Sequence, residues 1–346
     1  MSDLKTHTID TVFLTESGDE IPQPHFAYQT WGTLNSERNN AILICHALTG
    51  NSNADDWFRG LFDNSGIIDL DRHFVICINH PGSCYGSVGP ISINPTTGKK
   101  YQADFPNLTI RDIVCLEQLL LDELGIQEIE LIIGGSMGGM IALEFCVMDD
   151  RIKSACLIAM GASHSPWAIG ISEAQRIAIK ADKNWNNGFY SDEKPPNDGL
   201  AAARSLAMIT YRSPHDYDRK FGRNWNIQKE QFEVESYLNY QGEKLTQRFD
   251  ANSYITLTKA MDSHDVARGR GTAKSVLGKL DLPVLVIGID SDILYPIHEQ
   301  IELAELLPNA TFREIKSKYG HDAFLIEFEQ INQALRQFCT KRVAIS

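Results

Sequence analysis

A short, largely apolar run, Ile129-Glu130-Leu131-Ile132-Ile133, leads into Gly134-Gly135-Ser136-Met137-Gly138 and then into an apolar stretch rich in small residues, Gly139 to Met148. A short apolar run, a glycine cluster and a longer apolar segment read as a buried strand, a very tight turn and a helix. This pattern commits the chain to a sheet covered by helices. It puts Ser136 above the sheet, at the positive end of the following helix. The turn strains the serine backbone, and glycines two positions away on either side make that sterically possible. A lone G-x-S-x-G also occurs in ordinary loops, so its surroundings and partners elsewhere must decide its meaning.

Other segments extend the same architecture. Ala41–Leu48, Phe74–Asn79, Cys156–Met160 and Pro283–Asp290 are short continuous apolar runs of the buried parallel kind. Strand-like segments lie around Thr8–Leu14 and His25–Thr30, and a last strand is expected at Thr311–Ile315. Thr109-Ile-Arg-Asp112 looks like a capping box. It opens a helix with Ile113, Leu116, Leu120 and Leu124 on one face, and Gly125 as its stop. Strands alternating with helices imply an α/β fold with a mostly parallel sheet, covered on both faces.

About 120 residues separate the Cys156 strand from the Pro283 strand, far more than a crossover needs. The stretch holds Pro195-Pro196, helices expected near Gly199–Ile209, Val234–Tyr240 and Ala251–Met261, and Trp167, Trp185 and Trp225. It reads as a helical lid, residues 165–275, inserted into a core formed by residues 1–164 and 276–346. Such an insertion sits over the carboxyl edge of the sheet, where ligands bind.

The 346-residue chain carries a net charge of −13 with no compensating basic stripe, which argues against nucleic-acid binding. Seven scattered cysteines, odd in number and without C-x-x-C, read as reduced core residues of a cytoplasmic protein rather than disulfides or metal ligands. The first residues lack the apolar core of a signal peptide, and no run is long enough to span a bilayer.

A serine hydroxyl needs a base, and the usual base is a histidine oriented by a carboxylate. On an α/β-hydrolase fold the chain order is Ser, then acid, then His. After the Pro283 strand come Asp290 and Asp292, both candidates. Asp292 is favoured because it lies past the strand end, in the loop, while Asp290 is placed to brace the strand end. After the Thr311 strand comes Tyr319-Gly320-His321-Asp322, with His321 on a loop at the same edge. For the oxyanion hole, one backbone donor is Met137, directly after the nucleophile; the other is Leu48, in the loop after an early strand. His46 reads as a support for that loop.

With these residues in place, the chain resembles the homoserine O-acetyltransferase family. The matching pieces run from about Ala27 to Phe338: CHALTGNS (45–52), CYGSVGPISINPTTGK (84–99), DFPNLTIRDIV (104–114), GGSMGGM (134–140), TYRS (210–213), VESYLNYQG (234–242), RFDANSY (248–254), SDILYP (291–296) and YGHDAFL (319–325). The resemblance implies a ping-pong acyl transfer, with acetyl-CoA as co-substrate and no permanently bound cofactor or metal. Ser136 takes the acetyl group and homoserine accepts it, as a step in methionine biosynthesis. It also implies that Arg212 meets the homoserine carboxylate and Asp322 its ammonium, and that the enzyme is a homodimer formed through lid helices.

The chain departs from the family pattern at Asn79-His80-Pro81-Gly82-Ser83-Cys84, where the family often has Asn-Val-Leu-Gly-Gly-Cys, and at Val88, where Thr or Ser is common. Alternatives stay open. A succinyl donor would want an extra cation, and Arg219, Lys220 and Arg223 cluster beyond Arg212 but read as a solvated helix face. Serine as acceptor differs from homoserine by one methylene, worth about 1–3 kcal/mol in a pocket. A Ser-His-Asp esterase or thioesterase would use the same three residues on water.

Overall fold

A computed structural model describes residues 2–63 and 66–343, with side chains described as far as Thr340. Eight strands form the central sheet: β1 (Lys5–Thr8), β2 (His25–Trp31), β3 (Ala41–Cys45), β4 (Phe74–Ile78), β5 (Ile129–Gly135), β6 (Ala155–Ile158), β7 (Val284–Ile289) and β8 (Ala310–Ile315). Their spatial order is β1-β2-β4-β3-β5-β6-β7-β8. The pairs β1–β2 and β2–β4 are antiparallel and the remaining pairs parallel.

The five residues of β3 and the six of β7 are all buried. Alternation still divides them between two cores. Leu43, Cys45, Ile76 and Ile132 join one apolar cluster, while Ile42, Ile44, Val75, Cys77 and Ile133 join the other. Successive side chains of a strand point to opposite faces, so a strand covered twice must be apolar at every position. Each fully buried Ile, Leu or Val contributes about 1.5–3 kcal/mol relative to exposure.

Helices α1 (Ile110–Glu123) and α2 (Met137–Met148) cover the first face, supplying Ile113, Leu120, Met140 and Leu143. The C-terminal helix, Phe328–Val343, covers the second with Ile331, Leu335 and Phe338. The Thr109 side chain accepts from the Asp112 backbone N–H and Asp112 returns the bond, so the sequence signature for the start of α1 is realised.

The chain leaves the sheet after Ile158 and rejoins it at Val284. Among the described residues six α-helices lie in this excursion: α3 (Pro166–Lys180), α4 (Asn197–Tyr211), α5 (Pro214–Phe221), α6 (Glu233–Thr246), α7 (Ala251–Asp262) and a short one, Ala273–Leu277, that leads back to the sheet. Helix α4 packs against both α3 and α6. The sequence reading misses α3 and α5, both of which start with a Ser cap followed by Pro, at Ser165-Pro166 and Ser213-Pro214. It also expects one strand around Thr8–Leu14. Two are found, because the chain leaves β1 at Thr8 and Val12–Leu14 pairs instead with Glu20–Pro22.

Candidate active site

Ser136 sits between β5 and α2 with φ 57° and ψ −127°, a backbone conformation that L-residues avoid. The surrounding turn holds it there. The Ser136 N–H donates to the Ile158 carbonyl at 2.9 Å, and the Ser136 carbonyl accepts from the N–H groups of Gly139 and Met140 at 2.9 and 3.1 Å. The glycines are required by close approach. A Cβ on Gly134 would lie 2.1 Å from the Gly138 carbonyl oxygen, and one on Gly138 would lie 2.1 Å from that of Cys45. Both obstacles are backbone atoms, one in the first turn of α2 and one at the end of β3, and cannot move aside. Gly138→Ala is therefore expected to destabilise the protein by about 3 kcal/mol, read as a lower urea midpoint with an unchanged slope; a midpoint equal to the parent's would contradict this packing.

Asp292 and His321 arrive from the two loops beyond. His321 Nδ1 lies 2.6 Å from Asp292 Oδ2. Asp292 Oδ1 accepts the backbone N–H groups of Leu294 and Tyr295 at 2.8 and 3.0 Å. The carboxylate is thus held by three donors while buried, and buried charge is stable only when satisfied in this way. Asp290 braces the backbone instead. Its Oδ1 accepts the Ser317 N–H at 2.9 Å, tying the end of β7 to the chain leaving β8. His321 is 2 % exposed and lies among the rings of Tyr211, Tyr295 and Phe324. With Nδ1 engaged by the carboxylate, its Nε2 is left to act.

Ser136, Leu48 and His321 border one cavity of about 410 Å³. The Ser136 hydroxyl has no hydrogen-bond partner among the described residues. The backbone N–H groups of Leu48 and Met137 are likewise without partners among those residues. Two free amides beside a strained serine are the donor set that a tetrahedral oxyanion needs.

Asp322 also borders the cavity, but Arg212 does not. Arg212 stands behind the acid, with Nε 2.9 Å from Asp322 Oδ2 and Nη1 3.4 Å from Asp216 Oδ2. Burial pushes the Asp322 carboxyl upward, and the charges of Arg212 and His321 oppose that shift. Arg204, eight residues earlier on α4, does border the cavity. It stacks on the Tyr211 ring at 5.4 Å, and its buried Nη1 has no hydrogen-bond partner. The sequence reading missed Arg204. A signal for it exists, because Arg204 and Tyr211 are two helical turns apart and share a face.

Of the cations weighed for a succinyl donor, Arg219 pairs with Asp216, Lys220 lies over the Tyr237 ring and Arg223 over that of Phe232; none borders the cavity. Lys244 and Arg248 do border it. All seven cysteines are free thiols. Among the described residues no group of three His, Cys, Asp or Glu side chains is placed to hold a metal ion, and no helix is long and apolar enough to cross a membrane.

Comparison with known proteins gives this site a family. Residues 40–328 match the family model of the alpha/beta hydrolase fold. Homoserine O-acetyltransferase of Chlorobium chlorochromatii is 52 % identical over 339 residues, covering 97 % of this chain and 95 % of its own. The crystal structure of homoserine O-acetyltransferase from Bacillus anthracis superimposes with a TM-score of 0.90 at 28 % identity, covering 98 % of this chain and 97 % of that one. An acetylester hydrolase from Corynebacterium glutamicum also superimposes, with a TM-score of 0.85 at 26 % identity and coverage of 97 % and 95 %. Backbone shape is therefore shared by transferases and hydrolases alike. It is the full-length sequence identity that decides the family: this chain, an α/β-hydrolase in fold, belongs to the homoserine O-acetyltransferases.

Proposed function

We propose that the protein transfers an acetyl group from acetyl-CoA to the side-chain hydroxyl of homoserine, a step of methionine biosynthesis, through an acetyl-Ser136 intermediate. Ser136 Oγ bonds to the thioester carbonyl carbon while His321 Nε2 takes its proton. The Leu48 and Met137 N–H groups hold the oxyanion. The C–S bond then breaks, and His321 gives its proton to the departing thiolate. Homoserine enters next. His321 takes the proton of its hydroxyl, the oxygen attacks the acyl carbon, and Ser136 leaves with the proton returned. Asp292 keeps the histidine in the required tautomer throughout.

The observation that carries this reading is the pair of opposite charges bordering the serine's cavity. Arg204 suits the carboxylate of an amino acid and Asp322 its ammonium, whereas water would need neither. Two cations are thus candidates for the carboxylate: Arg204, which borders the cavity, and Arg212, which the resemblance implies and whose Nε lies 2.9 Å from Asp322 Oδ2. Arg204→Ala is expected to raise KM for homoserine about 10- to 100-fold, the worth of hydrogen bonds to a charged group, and to leave acetylation by acetyl-CoA nearly unchanged. An unaltered KM would remove Arg204 from the acceptor site. Lys244 and Arg248 at the rim suit the coenzyme's phosphates.

The specific test crosses acetyl-, propionyl- and succinyl-CoA with homoserine and serine. Acetyl-CoA with homoserine is expected to turn over fastest. Rapid CoA release that ignores homoserine would instead establish a hydrolase, the second reading, which the likeness to the acetylester hydrolase supports. The insertion exposes Leu206, Ile209 and Tyr240 on its helices and Trp225 on a short strand between them, apolar surface suited to a homodimer. The reduced cysteines fit a cytoplasmic location.

A further inference from the structure

Beneath the Leu48 loop lies a chain of buried ionisable groups that the chemistry above does not use. Glu117, on the buried face of α1, is fully enclosed, as are His80 and His46. Glu117 Oε1 is 2.5 Å from His80 Nδ1, and His80 Nε2 is 3.0 Å from the His46 carbonyl oxygen. The His80 backbone N–H donates to His46 Nε2 at 3.1 Å, and His46 Nδ1 is 2.9 Å from the Ala47 carbonyl oxygen. The two imidazole centroids are 3.8 Å apart, with the rings tilted by 32°.

Every proton in this chain follows from its partners. A carbonyl oxygen only accepts, so His80 Nε2 carries hydrogen, and so does His46 Nδ1. His46 Nε2 receives an N–H and is therefore bare. His80 Nδ1 faces the carboxyl of Glu117, whose second oxygen, Oε2, has no hydrogen-bond partner. An ionised Glu117 would bury half of its charge unpaired at 0 % exposure. A protonated Glu117 donates its O–H to Nδ1 and leaves only a neutral carbonyl unpaired. Burial disfavours the charged form of both, holding Glu117 well above the usual carboxylate range and His80 down to about 4.

We propose that Glu117, His80 and His46 form an uncharged relay that positions the Leu48 N–H for the oxyanion. This rests on the reading of Leu48 as an oxyanion donor. The relay clamps two consecutive carbonyls, those of His46 and Ala47, immediately before Leu48. The Ala47 carbonyl also accepts the Gly50 N–H at 2.8 Å, closing the turn that contains Leu48. The same segment abuts the nucleophile turn, since a Cβ on Gly138 would lie 2.9 Å from the His46 carbonyl oxygen. Helix α1 thereby fixes the Leu48 amide relative to the Met137 amide. His80, a departure from the family's usual sequence, is the link that spans them. All three are positioning residues.

The test uses the full chain and 4-nitrophenyl acetate, whose nitrophenolate release reports acetylation of Ser136 without homoserine or CoA. Failure of the homoserine assignment therefore leaves the test intact. Glu117→Gln can donate an amide N–H to His80 Nδ1, and its acetylation rate is expected to stay within about twofold of the parent. Glu117→Leu cannot, and its rate is expected to fall about 10- to 100-fold, with KM for the ester moving less than about threefold. The infrared difference between the parent and Glu117→Gln should contain a carboxylic-acid carbonyl band. Three results would overturn the proposal: a folded Leu variant at the parent rate, a Gln variant as slow as one lacking the donor is expected to be, or an ionised-carboxylate band in that difference. Should the Leu variant fail to fold, the Gln rate and the infrared band still decide.

Discussion

Ser136→Ala is expected to lower turnover of acetyl-CoA and homoserine by about 10⁴- to 10⁶-fold while leaving the fold intact. The position tolerates the change sterically. Alanine is smaller than serine, and the hydroxyl it removes has no hydrogen-bond partner among the described residues. What disappears is the atom that, in the proposed mechanism, carries the acetyl group between donor and acceptor. The check is a stopped-time assay of CoA release together with intact-mass measurement after mixing with acetyl-CoA. The parent should gain one acetyl mass and the variant none. Full turnover by the variant would end the covalent mechanism and leave a direct transfer between two bound substrates.

Asp292→Asn should come close behind, with a loss of about 10⁴-fold in kcat. The cause lies in the three bonds of this carboxylate. Oδ1 accepts two backbone N–H groups, from Leu294 and Tyr295, and Oδ2 faces His321 Nδ1. An asparagine must keep its carbonyl oxygen toward the two amides. Its NH₂ then points at Nδ1, which must give up its proton to accept. The hydrogen moves to Nε2, where the base should be bare. Asp290→Asn provides the contrast, because its Oδ1 serves the Ser317 N–H, a bond that an amide oxygen can keep. It is expected to stay within about threefold of the parent. Equal losses in the two variants would mean that the wrong acid has been assigned. Thermal unfolding of both proteins separates a chemical defect from a folding defect.

Much of the fold is legible in one dimension because its signals are local. A strand covered on both faces has to be apolar throughout, which makes Ala41–Cys45, Phe74–Ile78 and Val284–Ile289 visible as runs. The Thr109 cap and the glycines around Ser136 answer constraints within a few residues of themselves. The lid helices are harder. Helix α3 has only part of its surface buried, and its Ser-Pro start, though readable, competes with the many Ser and Pro residues of loops.

The site divides in the same way. The strained turn, the order of serine, acid and histidine, and the placement of each after a strand are properties of the sequence alone, since sheet topology then brings strand ends to one edge. Tertiary structure decided which side chains meet there. Asp290 and Asp292 are two residues apart, and only the path of the loop sends one to His321 and the other to the backbone of Ser317. Arg204 and Arg212 are eight apart, but α4 ends at Tyr211, so the second leaves the face that the first shares with the cavity. The union of Glu117, His80 and His46 depends on packing α1 against two strand ends, 37 and 71 residues away along the chain. Local sequence encodes backbone conformation through sterics and apolar periodicity. The direction of a polar side chain, and the partner it finds, are set by contacts that exist only once the chain has folded.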